Sequence, residues 1–231
     1  MAKNRKPARK KVQQAAAEPA PSGIGRRKIL LGSAALSLLG VAGYSLVGGR
    51  GNLGQPAGDA FPERWQGNPN APISMISYIS FTCIHCADFH INVWPGLKQD
   101  YVDTGKVRHL LREVAFDQYG FWAAMVARRG GPATFHRVSD LLLSRQASWT
   151  VNDVDVARAK LVELASEAGM VPAIAQRALE DVAMAGELRD WIDGNVRRDG
   201  INATPSFIID GRRYGNMSRE GFDQVFERLI P

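Results

Sequence analysis

Phe81-Thr82-Cys83-Ile84-His85-Cys86-Ala87-Asp88-Phe89-His90 holds the only two cysteines of a 231-residue chain, in C-x-x-C spacing. An apolar, strand-like run, Ile73-Ser74-Met75-Ile76-Ser77-Tyr78-Ile79, leads into it, and a helix-like segment from Ala87 to about Tyr101 leads out. Cysteines at i and i+3 on the first turn of a helix lie within disulfide reach. Cys83, at the open end, faces unpaired backbone N–H groups and the positive end of the helix dipole. Both favour thiolate over thiol, so Cys83 is expected to be the attacking sulfur. His85, between the two, adds positive charge or a hydrogen bond when the thiolate forms. Cys86, one turn deeper, is placed to resolve a mixed disulfide by attacking back.

Other chemistries fit these residues less well. Cys83, Cys86, His85 and His90 make four ligands for zinc in principle, but His85 sits inside the cysteine pair and no second ligand pair follows at finger spacing. Covalent haem needs C-x-x-C-H, and residue 87 is alanine. A structural disulfide closing so short a loop adds little stability, because the entropy removed falls with loop length. His90, four residues after Cys86, reads as an ordinary partly buried histidine packed under the helix. No metal site and no cofactor are expected.

The formal charge of +6 is not spread evenly. Residues 1–28 hold nine Lys and Arg against Glu18 alone, a local +8 that leaves −2 for the rest of the chain. The basic character belongs to the tail, and the folded part offers no charge argument for nucleic acid. Residues 1–28 read as a basic, disordered cytoplasmic tail. Ile29 to Val47 follows directly after Arg26-Arg27-Lys28 with 19 uncharged residues. Positive charge before an apolar run of that length places the N-terminus in the cytoplasm and the remainder across the membrane, as a retained anchor or a signal segment. The anchor is favoured, because Val41-Ala42-Gly43 is a weak cleavage site. Arg26-Arg27 also resembles a twin-arginine export signal, with Gly25 where Ser or Thr is usual. Residues 48–71 form a Gly/Pro/Asn linker, with Trp65 packing on the edge of the domain that occupies 72–231.

Within that domain Pro95 predicts a kink in the first helix. Val107 to Val114 reads as a second strand, with His109 and Arg112 at its margin. From about 117 to 200 the pattern is helical. Asn152 is expected to cap a helix with Val156, Leu161, Leu164 and Ala165 on one face and Gly169 as its stop. Further helices are expected over Ala173–Asp181 and Glu187–Arg198, with Trp122, Trp149 and Trp191 in their core. Thr204-Pro205-Ser206-Phe207-Ile208-Ile209 returns to strand and turns at Asp210-Gly211 into Arg212-Arg213-Tyr214, a hairpin. Ser218 caps a last helix that buries Phe222, Val225, Phe226 and Leu229. The order is β-α-β, helices, β-β-α.

From roughly Gly67 to Ile230 this chain resembles the DsbA-like family of thioredoxin-fold proteins. The resemblance rests on Cys83-Ile84-His85-Cys86, the helix around Trp94-Pro95, Thr104-Gly105-Lys106-Val107, Arg112-Glu113, and Gly200-Ile201-Asn202-Ala203-Thr204-Pro205-Ser206-Phe207 with the hairpin behind it. It implies an α/β thioredoxin fold with an all-helical insertion. It also implies a cis-proline at Pro205 opposite the cysteines, with Thr204 beside it in a groove for the substrate peptide. Two departures stand out. Many relatives carry an acid six positions before the first cysteine, where this chain has Ser77, so the proton of Cys86 needs another route. Some relatives carry a second cysteine pair in the insertion, and this chain has none.

The implied activity is thiol–disulfide exchange outside the cytoplasm, on the periplasmic side of a bacterial inner membrane. The partners would be cysteine-containing exported proteins and a membrane oxidase or reductase that resets the pair. Ile84-His85 keeps the histidine associated with oxidising relatives, which favours oxidation of dithiols over reduction or isomerisation. The contrasting reading is a non-enzymatic module: a tethered scaffold, or a copper carrier using both sulfurs as soft ligands.

Overall fold

Strand β2 (Ile73–Ile79) is hydrogen-bonded on both edges, and the rest of the domain is laid against it. A computed structural model describes residues 61–230. Successive side chains of β2 point to opposite faces. Ile73, Met75 and Ile79 enter the main core, whereas Ile76 and Tyr78 join a smaller cluster with Val114, Val196, Ile201 and Ile208. A strand buried on both faces cannot show a clean polar alternation, which is why this run reads as almost continuously apolar. Strand β3 (Val107–Glu113) lies parallel to it and β4 (Ser206–Ile209) antiparallel. With β1 (Trp65–Gln66) and β5 (Arg212–Tyr214) at the edges, the sheet runs β1-β3-β2-β4-β5. The β4–β5 turn has Asp210 at φ 44° and Gly211 at φ 77°, the two left-handed positions that a two-residue hairpin of this twist requires. The Asp210 carboxylate also accepts the backbone N–H of Ser74 at 2.8 Å, tying the turn to β2.

The crossover from β2 to β3 is a helix of alternating pitch. It comprises α1 (Ile84–Asp88), a π turn (Phe89–Val93), α2 (Trp94–Leu97) and a second π turn (Lys98–Val102). The expected kink at Pro95 takes the form of the first π turn. Proline has no N–H to donate and its ring crowds the carbonyl four residues back, so the helix widens just ahead of it. The helix begins at Ile84, earlier than the apolar pattern implied, with Cys83 as its N-cap. Helix α9 (Arg219–Leu229), capped by Ser218, closes this side of the sheet. Phe222 packs at 4.8 Å from Phe207 and 5.7 Å from Phe89. Leu229, expected inside, lies at the margin, 36% exposed.

The insertion consists of α3 (Gln118–Arg129), α4 (Pro132–Ser144), α5 (Gln146–Trp149), α6 (Val154–Glu167), α7 (Pro172–Glu180) and α8 (Val182–Arg198). Helix α3 is its axis, with Ala123, Ala124, Val126 and Ala127 fully buried. Asp153, not Asn152, caps α6, accepting the N–H groups of Asp155 and Val156 at 3.0 and 3.1 Å. That one-residue shift puts Ala157 in the core and leaves Val156 exposed. Gly169, at φ 91°, ends the helix as expected. Helix α8 starts at Val182 because Asp181 accepts the Met184 N–H at 2.9 Å, five residues before the expected start at Glu187. Trp149 is fully buried and Trp122 nearly so, while Trp191 is only half-buried.

Two further sequence expectations are corrected. Residues 61–71 are not linker: Phe61 is in the core, and Trp65 and Gln66 pair with Leu110 and His109 as the edge strand. His109 and Arg112 are buried within β3 rather than marginal. Arg112 reaches Asp199 at 2.8 Å and is also paired with Glu63.

The deepest junction is electrostatic. Glu113 at the end of β3 and Arg128 in α3 have fully buried side chains and form a bidentate pair, 2.6 Å at both contacts. Arg128 is stacked on Trp191 at 4.3 Å and Phe135 at 4.8 Å, and donates to the Pro62 carbonyl at 3.1 Å. Sheet, insertion and the segment from Phe61 to Gln66 therefore meet at one guanidinium. Breaking a buried pair strands a desolvated charge, so Glu113→Ala is expected to lose about 3–5 kcal/mol. A Glu113→Leu/Arg128→Met double variant should lose less than the single one. Urea midpoints of the three proteins check this.

Candidate active site

Cys83 terminates the β2 strand–turn segment in extended conformation, φ −80° and ψ 120°, and the chain becomes helical at Ile84. Its carbonyl accepts the N–H groups of Cys86 at 3.0 Å and Ala87 at 3.1 Å, the first bonds of the helix. Cys83 is half-buried and Cys86 has no exposed surface, and both are free thiols. The Thr204–Pro205 bond is cis, as the resemblance implied. Its loop meets the cysteines directly: Cys83 Sγ donates to the Thr204 carbonyl at 3.4 Å. Cys83, Cys86, Thr204 and Pro205, expected together from sequence, are thus brought together across 121 residues.

The two sulfurs are electrostatically unlike. Burial opposes ionisation of Cys83, but hydrogen bonding from Thr204 and from the N–H groups of Cys86 and His85 outweighs it and holds this thiol below its ordinary value. Thr204 Oγ1 is buried beside the sulfurs and has no other hydrogen-bond partner. Burial pushes Cys86 up to about 12, despite hydrogen bonding from Ser80 and Thr204. His85 contributes through its backbone N–H, and its ring is exposed to solvent.

Behind the site, Ser77 is not an unpaired substitute for an acid. Its hydroxyl lies 2.8 Å from His109 Nε2, and both residues are buried. His109 packs against Trp94 in a tilted contact, ring centroids 4.1 Å apart, and with His90, His136, Ser139 and Asp140 it lines a small cavity. His90 is almost covered, as its spacing suggested, and lies 3.2 Å from Asp140. The turn itself is held by residues that no local pattern marks. Gln146 Nε2 donates to the Phe81 carbonyl at 2.8 Å and the Cys83 carbonyl at 3.0 Å. Thr82 Oγ1 donates to Asp117 Oδ2 at 2.5 Å. An isolated Gln far along the chain carries no such signal. Asp117 is legible only as a helix cap, which it also is, accepting the Gly120 N–H at 2.8 Å.

A cysteine pair at the head of the crossover helix, a cis-proline loop facing it, and a mixed sheet closed by a C-terminal helix define a thioredoxin-fold thiol protein. The chain belongs to the thioredoxin family, whose model, described as Thioredoxin, matches residues 60–228. A Rickettsia bellii protein, named provisionally as a protein-disulfide oxidoreductase, is 28% identical over 165 residues, 71% of this chain and 63% of that one. A Rickettsia conorii protein of the same provisional name is 28% identical, covering 71% of this chain and 59% of its own. The chain therefore spans somewhat less than two thirds of these relatives. Among solved structures, alpha-DsbA1 of Wolbachia pipientis superposes with TM-score 0.67 at 25% identity, over 73% of this chain and 90% of that one. Oxidised BdbD from Bacillus subtilis gives 0.65 at 20% identity, over 73% and 92%, a likeness of fold. These neighbours uphold the DsbA-like resemblance drawn from the sequence.

The histidines behind the site predict an acid limit to stability. Burial lowers His109 well below its ordinary value. It also lowers His136, to about 4, with Arg64 and Arg128 adding to the effect and Asp140 opposing it. A histidine with a depressed folded pKa takes up protons preferentially in the unfolded chain. Stability is therefore full above pH about 6.5 and falls towards pH 4 as the unfolded state protonates first. Urea unfolding across that range should show the decline, and His136→Asn should flatten it.

Proposed function

We propose that this chain is an extracytoplasmic thiol–disulfide oxidoreductase that oxidises dithiols of exported proteins through a Cys83–Cys86 disulfide. The observation that carries this is the asymmetry of the sulfurs: Cys83 accessible and depressed, Cys86 buried and raised. In the oxidised protein a substrate thiolate attacks Cys83 Sγ. The Cys83–Cys86 bond breaks, and Cys86 leaves and is protonated. The second substrate thiolate then attacks the substrate sulfur of the mixed disulfide. A substrate disulfide forms, and Cys83 leaves as a thiolate. Two electrons have passed from the substrate dithiol to the cysteine pair. The stable thiolate makes Cys83 the better leaving group, while the high Cys86 pKa slows attack of Cys86 on the mixed disulfide. Both effects favour oxidation of substrate. The Thr204–Pro205 loop, beside Cys83, is the surface along which the substrate backbone would lie. His85 serves through its N–H at the helix start.

The relatives support this reading by their printed names, and alpha-DsbA1 by its fold at comparable length. Regeneration falls to a membrane redox partner that accepts the two electrons. No helix of the described residues is long and apolar enough to cross a membrane, and the expected span, residues 29–47, lies outside them. The uncharged run after Arg26-Arg27-Lys28 supports an anchor that leaves the domain on the periplasmic side.

Three measurements test the proposal. The reduction potential of the pair should lie nearer the strongly oxidising value of about −120 mV than the thioredoxin value of about −270 mV, and a value at the reducing end would argue for a reductase. Cys86→Ala should accumulate mixed disulfides on non-reducing gels, and Cys83→Ala far fewer. Equal trapping by both would overturn the assignment of roles. Membrane fractionation with protease added from outside should find the domain bound and cleavable, whereas a soluble periplasmic form beginning after about residue 43 would replace the anchor with a cleaved signal.

A further inference from the structure

The turn that presents Cys83 is held by the helical insertion at three consecutive residues. Gln146 Nε2 binds the carbonyls of Phe81 and Cys83, and Asp117 binds the hydroxyl of Thr82 between them. The Gln146 amide has two N–H hydrogens, and each has its own carbonyl. That pairing fixes which end of the amide faces the turn, since the reversed group would set its oxygen against two other oxygens. The amide is also delivered from a rigid place. Gln146 opens α5 and is itself buried, and its own carbonyl accepts from Thr150 N at 3.1 Å and Thr150 Oγ1 at 2.9 Å. One turn on, the fully buried Trp149 donates to the Leu142 carbonyl at 2.8 Å, locking α5 to α4.

We propose that Gln146 is a positioning residue for the nucleophile: by fixing the Cys83 carbonyl it holds Cys83 Sγ against the N–H groups at the start of the crossover helix. The reason is peptide planarity. The Cys83 carbonyl and the Ile84 N–H belong to one rigid plane, so pinning the oxygen sets ψ at Cys83 and the direction from which the helix starts. Cys83 is the N-cap and its side chain makes no cap bond, so nothing in its own side chain holds that plane. The helix bonds from Cys86 and Ala87 to the same oxygen move with the helix, whereas Gln146 ties it to a different part of the molecule. The N–H groups of His85 and Cys86 that favour the thiolate keep their aim at Sγ only while this plane is fixed. A donor on the carbonyl also draws off negative charge beside the sulfur. The insertion thus sets the reactivity of a cysteine that belongs to the thioredoxin core.

This inference rests on the reading of Cys83 as the nucleophile, and its test reads the thiolate rather than turnover. The reduced full-length chain is alkylated with iodoacetamide across pH, and the ionisation constant of Cys83 is taken from the rate profile. Gln146→Met keeps side-chain volume and removes both donors. It should weaken the ionisation constant about three- to tenfold, the range of one lost hydrogen bond. Gln146→Glu, which sets a carboxylate against the two carbonyls, should weaken it further, and carries the test alone if the Met variant does not fold. Leu161→Ala empties a fully buried site in α6 of the same insertion and should leave Cys83 titrating as in the unaltered chain. The proposal is overturned if the Gln146 variants titrate like the unaltered chain, or if Leu161→Ala shifts Cys83 equally, which would make general stability of the insertion the cause. An unaltered chain that fails to oxidise a reduced dithiol peptide would sink the functional reading while leaving this titration interpretable.

Discussion

A carboxylate with no contact with water, at the end of a central strand, constrains the whole molecule. Glu113 has to meet a cation, and the one it meets, Arg128, is carried by the axial helix of the insertion. The guanidinium is planar and makes two parallel bonds, so the pair fixes orientation as well as distance. The aromatic rings of Phe135 and Trp191 lie against it, and the Pro62 carbonyl takes a further N–H. Such a pair adds little net stability over an apolar contact of the same shape. What it specifies is the seating of the insertion on the sheet, and the Gln146 and Asp117 contacts to the cysteine turn depend on that seating.

The site shows how two identical side chains acquire opposite properties three residues apart. Position along one helix turn decides it. At the N-cap, Cys83 looks out past unpaired N–H groups and gains from any charge it carries. One turn inside, Cys86 is fully buried in the main hydrophobic core, where charge is costly. The Ser77–His109 pair continues that neutral interior behind the cysteines. An acid at position 77 would have supplied a titrating group there. The hydroxyl–imidazole bond, with its histidine kept from protonation by burial, places no charge at positions 77 and 109 at neutral pH.

Features that depend on a few adjacent residues were legible in the sequence. The cysteine turn, the Asp210-Gly211 hairpin, the Ser218 cap and the Gly169 stop each follow from local backbone chemistry, and each stands where expected. The Thr204-Pro205 loop was placed by resemblance to a known family rather than by pattern. Long-range polar contacts were not legible. Gln146 lies 63 residues from the carbonyl of Cys83, and nothing in its neighbourhood distinguishes it from a surface glutamine. His109 and Arg112 read as marginal from the sequence because polar residues in a strand usually face water. Their burial depends on partners at Ser77, Glu63 and Asp199 from three other segments. The edge strand was hidden for a different reason: two residues in a Gly/Pro-rich stretch have no periodicity to show, and β1 exists only because β3 offers it an edge.

The brevity of the outer strands has a further consequence. β1 has two residues and β5 has three, two of them the arginines Arg212 and Arg213. A sheet edge is a row of unpaired backbone donors and acceptors, and any extended chain can add to it. Here the outer strands are too short to template a growing ladder, and one carries repelling charge. Edge-to-edge pairing with another extended chain is thereby suppressed by the architecture of the sheet itself.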